Sequence, residues 1–224
     1  VGAKFADGTK VGTIGDVSSF SFYFGHQLST IEGGFVNTNS EKFYQTMLML
    51  RSHGWTKDIS EKFFQSDIAN LNIDSVNEPF NFIHNGFNIR STDLQAFIGL
   101  SQLEKAESIM KARNRNHRRY KKSISNDFTF QDWGKAWPVS LHIGILAKDR
   151  LTRSKVLDAC KNNGIETRVW SHGNLGRHPF WEKKYGKFNG HWANQIYERG
   201  FILPTFPELN DKDVDFISSI CNNY

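Results

Sequence analysis

Residues Ser18-Ser-Phe-Ser-Phe-Tyr-Phe-Gly-His-Gln-Leu-Ser-Thr-Ile-Glu-Gly-Gly-Phe-Val36 form the stretch around which the rest of the chain is organised. Its aromatic and β-branched residues predict strands at residues 20–24 and 34–37, joined by a polar turn that carries His26. Hydroxyl side chains and free backbone N–H groups at the end of a strand suit a phosphate ester. An ordinary polar turn with a structural histidine explains the same residues, so the pattern alone leaves both interpretations open.

The composition describes an ordered globular protein, because 38% of its 224 residues are hydrophobic and 14% are aromatic. Much of the net charge of +5 lies in the basic run 111–122, which predicts either a solvated helix face or a phosphate-binding face. Cys160 and Cys221 are too few for a disulfide framework, a four-thiolate zinc site or an all-cysteine iron–sulfur cluster. Two isolated cysteines make the reducing cytoplasm the expected location. No run of 18 apolar residues occurs, so we expect no membrane span.

Local patterns predict an α/β protein in which the character of the chain changes on one long helix. Ser40 predicts the start of a helix that runs to about residue 53, and residues 55–79 predict a loop region with a short helix near 63–71. Residues 81–90 are predicted to be extended, and the apolar spacing after Thr92 predicts a helix to about residue 120. The remaining elements are predicted strands at 139–146, 166–170 and 201–203, and predicted helices at 152–163, at 191–199 and after Asn210.

Several segments resemble the DegT/DnrJ/EryC1/StrS family of nucleotide-sugar aminotransferases. They are Gly15-Asp-Val-Ser-Ser-Phe-Ser-Phe-Tyr-Phe-Gly-His26, Glu32-Gly-Gly34, Leu50-Arg-Ser-His-Gly-Trp55, Gly86-Phe-Asn-Ile-Arg-Ser-Thr-Asp-Leu-Gln-Ala96, and Leu203-Pro with Pro207-Glu-Leu and Asp213-Val-Asp-Phe-Ile217. The resemblance implies the fold of the aspartate aminotransferases (fold type I), which bind pyridoxal 5′-phosphate (PLP).

The resemblance also implies how the domains divide. Residues 1–90 correspond to the C-terminal part of the large PLP-binding domain, and residues 91–224 to the small C-terminal α/β domain, which starts on the long helix. Because the sequence begins with Val1 and reaches a turn at Asp7-Gly8 almost at once, we expect an N-terminally truncated fragment. The family's aspartate at the pyridine nitrogen and its ring-stacking aromatic would then lie upstream.

His26 departs from the pattern of the aminotransferases in this family, which carry at this position a lysine that bonds covalently to PLP. Imidazole cannot form that bond, but it can accept and donate a proton near neutral pH. A histidine here resembles the sugar 3-dehydratases of the family, which use pyridoxamine phosphate and remove the C3 hydroxyl of a nucleotide-linked 4-keto-6-deoxyhexose. Because segment 84–88 has no thiol, the resemblance is to the type without an iron–sulfur cluster, which acts on GDP-4-keto-6-deoxymannose.

The resemblance assigns roles to four residues around the cofactor. His26 would be the catalytic acid and base, and Ser21 would bind the cofactor phosphate. Asn88 would reach the phosphate of the cofactor in the partner subunit of a homodimer, and His53 would be a second catalytic histidine that crosses the dimer interface. The plainer interpretations are a hydroxyl at a strand end for Ser21, a turn former for Asn88 and a helix C-terminal cap for His53.

Arg168, Asn174 and Arg177 are candidates for binding the nucleotide sugar, since a diphosphate favours fixed cationic donors. Surface ion pairs and loop structure explain the same residues. No metal site is expected. L-glutamate would regenerate the cofactor by transamination, and a role in binding nucleic acid is not expected, because no recognition motif accompanies the basic run. Two alternatives stay open: a nucleotide-sugar 4-aminotransferase, and a non-catalytic homologue that binds a sugar nucleotide.

Overall fold

The computed structural model describes residues 1–67, 69–71, 73–74 and 76–224, and it combines helices with two antiparallel sheets. The helices are α1 (Glu41–Leu50), α2 (Glu61–Asp67), α3 (Asp93–Ser123), α4 (Arg150–Asn162), α5 (Pro179–Tyr185), α6 (His191–Arg199) and α7 (Asp211–Asn222). The strands are β1 (Val17–Ser21), β2 (Gly34–Thr38), β3 (Thr129–Phe130), β4 (His142–Leu146), β5 (Arg168–Val169) and β6 (Gly200–Pro204).

The chain divides into two compact units. The N-terminal unit comprises residues 12–104, and the C-terminal unit comprises residues 105–224 together with residues 1–11. The division falls inside α3, which contributes its first part to one unit and its second part to the other. The assignment of residues 1–90 to a large cofactor domain and of residues 91–224 to a small domain stays a prediction.

In the N-terminal unit, β1 and β2 pair antiparallel from Val17 opposite Thr38 to Ser21 opposite Gly34. The second strand lies where it was predicted, but the first strand ends at Ser21, whereas the sequence predicted residues 20–24. The reason is that Phe22 closes a loop: its N–H donates to the Gly33 carbonyl at 2.8 Å, and its carbonyl accepts from the Thr30 N–H at 2.9 Å. The aromatic residues after it therefore lie in the loop.

Helix α1 begins as predicted, because the Ser40 hydroxyl accepts a hydrogen bond from the N–H of Phe43 at 3.3 Å. It ends at Leu50, three residues before the predicted end, since the chain there turns to pair with an extended segment around Asn88. The short helix predicted at 63–71 is present as α2 and a 3₁₀ turn at Ala69–Leu71, while residue 68 lies outside the described residues. A small core of Met49, Phe63 and Phe64 joins α1 to α2.

Helix α3 confirms the prediction of a long helix but reverses the usual distribution of its side chains. Its first part carries large apolar side chains that are exposed within this chain: Leu94, Phe97, Leu100 and Leu103. Its second part is polar and yet partly buried. The Arg113 guanidinium donates to the Leu141 carbonyl at 3.0 Å, and the Asn116 amide donates to the Phe206 carbonyl at 2.9 Å. The interpretation of residues 111–122 as a solvated face is therefore wrong for the buried residues, which bind loop carbonyls.

In the C-terminal unit, the strands lie in the order β3-β4-β6-β5, and every neighbouring pair is antiparallel. One core contains residues of α3, α4, α7 and the two central strands: Tyr120, Val156, Cys160, Ile143, Ile145, Phe201, Leu203, Val214, Ile217 and Cys221. Alternation places Gly144 on the opposite face of β4. There the Trp170 ring lies where a β-carbon on Gly144 would be.

Most predicted elements of this unit are confirmed. Helices α4, α6 and α7 lie within two residues of the predicted bounds, and Asn210 forms a reciprocal capping box with Asp213 at the start of α7. The strand predicted at 166–170 is shorter, because a 3₁₀ turn begins at Trp170. Helix α5 and strand β3 were not predicted, because both are short elements with weak periodicity.

Candidate functional site

The loop that follows β1 presents Ser21 and His26 close together in the chain. Ser21 is exposed at the last position of the strand, and its hydroxyl accepts a hydrogen bond from the N–H of Tyr23 at 3.2 Å. The N–H of His26 donates to the Tyr23 carbonyl at 3.0 Å, which makes a tight turn. The half-buried imidazole lies edge-on to the Tyr23 ring, with the ring centres 5.8 Å apart. Both groups keep polar atoms that can reach a ligand.

The paired glycines are required at the return of this loop. Gly33 has φ 150°, in the region that favours glycine, and a β-carbon there would overlap the Thr30 hydroxyl. A β-carbon on Gly34 would meet the Phe20 carbonyl at 2.6 Å. Glu32 contributes its backbone carbonyl, which accepts from the Thr30 hydroxyl at 2.9 Å.

His53 and Asn88 are brought together by a second set of backbone contacts. Ser52 and Asn88 form an antiparallel bridge, and the N–H of His53 donates to the Phe87 carbonyl at 2.7 Å. Both side chains are exposed. His53 has φ 66°, a left-handed conformation that is uncommon for residues other than glycine and is enriched at functional sites.

Arg168, Asn174 and Arg177 lie in the C-terminal unit and differ in their surroundings. The exposed guanidinium of Arg168 pairs with the Glu166 carboxylate at 2.6 Å. Arg177 pairs with Glu198 at 3.1 Å, and its guanidinium lies 4.7 Å from the centre of the Tyr197 ring. Each guanidinium thus lies on the surface beside a glutamate carboxylate, and a diphosphate can compete with that carboxylate for the guanidinium or bind in addition to it.

Asn174 is almost completely buried, with 1% of its surface exposed. Its side-chain oxygen accepts from the N–H of Gly176 at 2.9 Å, and its amide nitrogen donates to Asn194 at 2.8 Å. These bonds cap the 3₁₀ turn Leu175–Arg177, so the structure gives Asn174 a role in holding the turn that carries Arg177. Direct contact between Asn174 and a substrate stays a prediction.

Gln95 is a residue near the site that the sequence analysis missed. Its side chain accepts from the N–H of Thr92 at 2.9 Å and donates to the Glu32 carbonyl at 2.7 Å. The signal for the first bond was present in the sequence, because Thr-x-x-Gln at the start of a helix predicts a capping box. The second bond joins residues 63 positions apart, and no local pattern predicts it.

A cavity of about 340 Å³ lies between this loop and the first turns of α3. Its walls are mainly apolar and include Phe22, Leu28, Phe35, Leu100 and Leu103, with Gln95 among the few polar residues. Hydrogen bonds thus support the loop at its base, and on the side that faces α3 the loop borders open space.

The N-terminal unit contains side-chain donors of the kinds that bind a phosphate ester, such as the phosphate of a pyridoxal-type cofactor. The Ser21 hydroxyl and the Asn88 amide are exposed donors, and the buried Ser52 hydroxyl beside Asn88 has no hydrogen-bond partner within the described residues. Neutral hydroxyl and amide donors bind phosphate esters in this way. No lysine occurs between Lys10 and Lys42, so this loop offers no amine for a covalent bond to the cofactor.

Two features are absent from the described residues. No group of three or more His, Cys, Asp or Glu side chains in that part of the chain is arranged to hold a metal ion. None of the described helices combines the length and the apolar character needed to cross a membrane.

Three curated relatives illustrate the similarity of this sequence to known proteins. An uncharacterized protein of Methanocaldococcus jannaschii is 32% identical over 98% of this chain and 56% of its own length. The GDP-4-keto-6-deoxy-D-mannose 3-dehydratase of Yersinia pseudotuberculosis is 30% identical over 78% of this chain and 44% of its own length. The GDP-perosamine synthase of Escherichia coli O157:H7 is 28% identical over 100% of this chain and 55% of its own length. The chain thus spans about half the length of the curated relatives it matches.

Solved structures confirm the predicted fold class. The E. coli GDP-4-keto-6-deoxy-D-mannose-3-dehydratase with bound hydrated PLP superposes with a TM-score of 0.83 over 99% of this chain and 58% of that chain, at 21% identity. A mutant GDP-4-keto-6-deoxymannose-3-dehydratase with bound GDP-perosamine gives a TM-score of 0.86 over the same shares, at 22% identity. At this level of identity the likeness shows the fold, which is that of the PLP-dependent aminotransferases.

The family follows from the match along the sequence. The profile of the DegT/DnrJ/EryC1/StrS aminotransferase family matches residues 1–221, which is nearly the whole chain. The resemblance inferred from the motifs is therefore confirmed, and this chain belongs to the DegT/DnrJ/EryC1/StrS aminotransferase family.

Proposed function

We propose that this chain carries catalytic residues of a sugar 3-dehydratase that acts on a nucleotide-linked 4-keto-6-deoxyhexose, with GDP-4-keto-6-deoxymannose as the substrate. The observation that carries the proposal is His26, which stands in the loop after Ser21 where no lysine is present between residues 11 and 41. The dehydratases of Yersinia and E. coli among its relatives support it. The protein would work as a cytoplasmic homodimer.

When bound, pyridoxamine phosphate supplies an amine for the sugar ketone and a ring that withdraws electrons. Ser21 would donate a hydrogen bond to the phosphate and so help to hold the cofactor near His26. The imidazole of His26 would accept the proton that the C4′ carbon of the cofactor loses as the C3–O bond of the sugar breaks. It would then give this proton to the departing hydroxide, which leaves as water. The half-buried position of the ring limits its contact with bulk water and favours this short transfer.

The other candidate residues keep the roles that the resemblance gives them. Asn88 and His53 would reach the active site of the partner, since both side chains are exposed on adjacent backbone segments. Arg168 and Arg177 would bind the diphosphate, with Asn174 supporting the turn that carries Arg177. L-glutamate would return the amino group to the cofactor.

A nucleotide-sugar 4-aminotransferase is the second candidate. It is favoured by the GDP-perosamine synthase of E. coli O157:H7, which aligns with 100% of this chain, whereas the Yersinia dehydratase aligns with 78%. The two reactions differ in their product: an aminotransferase keeps the C3 hydroxyl and places an amine on C4, while a dehydratase removes the hydroxyl and releases ammonia.

The test is to treat the full-length protein with PLP, reduce it with borohydride and measure its mass. We expect no covalent adduct, and we expect glutamate to convert the cofactor to pyridoxamine phosphate. With GDP-4-keto-6-deoxymannose and glutamate, the product should lack the C3 oxygen. His26→Asn should abolish this turnover and retain cofactor binding, whereas His191→Asn, at an exposed position of α6, should leave it unchanged.

A stable adduct on a lysine, together with an amino-sugar product, would establish the aminotransferase instead. Binding of GDP-sugar without any turnover would identify a non-catalytic homologue. Full dehydration by His26→Asn would contradict the role given to His26.

A further inference from the structure

Gln95 connects the start of α3 to the loop that carries His26. At the helix start, its Oε1 accepts hydrogen bonds from the N–H of Thr92 at 2.9 Å and from the Thr92 hydroxyl at 3.3 Å. The Thr92 hydroxyl in turn accepts from the N–H of Gln95 at 3.3 Å, which completes a capping box. The amide nitrogen of Gln95 points the other way and donates to the Glu32 carbonyl at 2.7 Å.

The Glu32 carbonyl lies at the base of the loop. It also accepts from the Thr30 hydroxyl, and the next residue, Gly33, closes the loop by accepting from the N–H of Phe22. A bond that fixes Glu32 therefore fixes the return arm of the turn in which His26 lies. Thr30 is part of the loop itself, whereas Gln95 belongs to a helix of 31 residues. Among these contacts, Gln95 thus anchors the loop to a rigid element.

Thr30 packs close to Gly99 of α3, and beside this contact a cavity separates the loop from the helix. The cavity of about 340 Å³ between Phe22, Leu28 and the first turns of α3 gives it room to shift on that side. Where contact area is missing, a hydrogen bond of ordinary strength decides which loop conformation is populated.

We propose that Gln95 is a positioning residue for His26, which it holds in place through the Glu32 carbonyl. The proposal rests on the catalytic role proposed for His26. It also explains why the residue is glutamine: a glutamate would accept the N–H of Thr92 and cap the helix equally well, but it has no donor for the Glu32 carbonyl. The isosteric change Gln95→Glu therefore removes the loop anchor and keeps the cap.

The test compares amide hydrogen exchange in the wild-type chain, in Gln95→Glu and in Gln102→Glu. Gln102 lies two turns further on the same helix and lines the same cavity, so its substitution makes the same change of charge there without removing the bond to Glu32. We expect exchange at residues 22–33 to become about five- to tenfold faster in Gln95→Glu, the effect of losing one hydrogen bond of average strength. Exchange in the first turns of α3 should be unchanged, and Gln102→Glu should resemble the wild type.

A second measurement observes His26 directly, through the NMR signal of its ¹³C-labelled imidazole, assigned with His26→Asn. The Tyr23 ring lies edge-on at 5.8 Å and displaces this signal by its ring current. In Gln95→Glu the displacement should decrease as the loop samples other conformations, and in Gln102→Glu it should persist.

Unchanged exchange at residues 22–33 in Gln95→Glu would overturn the proposal. Equal acceleration in the first turns of α3 would also overturn it, because it would mean that Gln95 acts only as a helix cap. A His26 signal that is the same in Gln95→Glu as in the wild type would show that Gln95 does not position His26. Neither measurement requires turnover, so failure of the proposed dehydration would be recognised separately, in the product assay.

Discussion

The backbone of Gly86 lies directly against the backbone of Gly54, and neither residue has room for a side chain. A β-carbon on Gly86 would overlap the amide nitrogen of Gly54 and the carbonyl carbon of His53. One on Gly54 would overlap the carbonyl of His84. This contact holds two segments in register, and it is what places His53 beside Asn88.

We expect Gly86→Ala to separate these segments. Because the added methyl group meets backbone atoms that cannot rotate away, the free energy of unfolding should fall by about 2 kcal/mol. Urea denaturation followed by circular dichroism measures this. Gly15→Ala is the matched control, since a β-carbon there meets its nearest atom, the Val17 carbonyl oxygen, at an ordinary 3.6 Å. Equal stability of the two variants would show that the segments tolerate separation.

Arg168→Ala and Asn174→Ala should have opposite effects on binding and stability. Arg168 is exposed and paired only on the surface, so its loss should change the free energy of unfolding by less than about 0.5 kcal/mol. If it binds the diphosphate, the affinity for GDP measured by calorimetry should fall about tenfold.

Asn174→Ala should instead destabilise the fold by about 1–3 kcal/mol, because it leaves the N–H of Gly176 and the side chain of Asn194 without their buried partner. Thermal unfolding of both variants in one buffer makes the comparison. Loss of GDP binding by Asn174→Ala with an unchanged melting temperature would assign Asn174 to the substrate.

His117 should make the stability of the chain depend on pH. Burial, with the charges of Arg118 and Lys121 as smaller causes, lowers the pKa of His117 to about 4. The unfolded chain, with a histidine pKa of about 6.5, binds a proton at higher pH than the folded chain does. The contribution of His117 to the free energy of unfolding is therefore fully present above the unfolded pKa. It falls by about 3 kcal/mol as the pH decreases from about 6.5 to about 4.

Denaturation curves at a series of pH values measure this slope, and His117→Phe is the informative variant because it cannot titrate. It removes the bond between the imidazole and the Ser140 hydroxyl, so its stability at pH 7 is expected to be lower. Its stability should nevertheless vary less between pH 6.5 and 4. An identical pH dependence in both proteins would assign the effect to other groups.

Both thiols should be protected from alkylation in the folded chain. Cys160 and Cys221 are fully buried, and burial raises the pKa of Cys160 to about 11 and the pKa of Cys221 to about 12. Because the thiolate is the reactive form, modification at pH 8 should be at least about a hundredfold slower than for a free thiol, and it should become fast in urea. Rapid reaction of either cysteine without denaturant would show that the core opens locally.

Local sequence patterns determined much of the secondary structure. The caps at Ser40, Thr92 and Asn210 each act over three residues, and they located the starts of α1, α3 and α7 closely. The ends were harder to predict. Strand β1 stops early because Phe22 bonds to Thr30 and Gly33. Helix α1 stops early because the chain after it bonds to Phe87 through His53, and no short-range pattern predicts these contacts.

The sequence by itself determined the family, through motifs along the whole chain, and it determined that a histidine and no lysine stands in the loop after β1. Only the tertiary structure decided that Gln95 bonds to Glu32, that Gly54 contacts Gly86, and that Asn174 is buried. The physical reason is the separation along the sequence of the residues that interact. Caps and periodicity depend on neighbours a few positions away, whereas these contacts join segments that meet only when the chain packs, and burial decides which polar side chains bind the protein instead of a ligand.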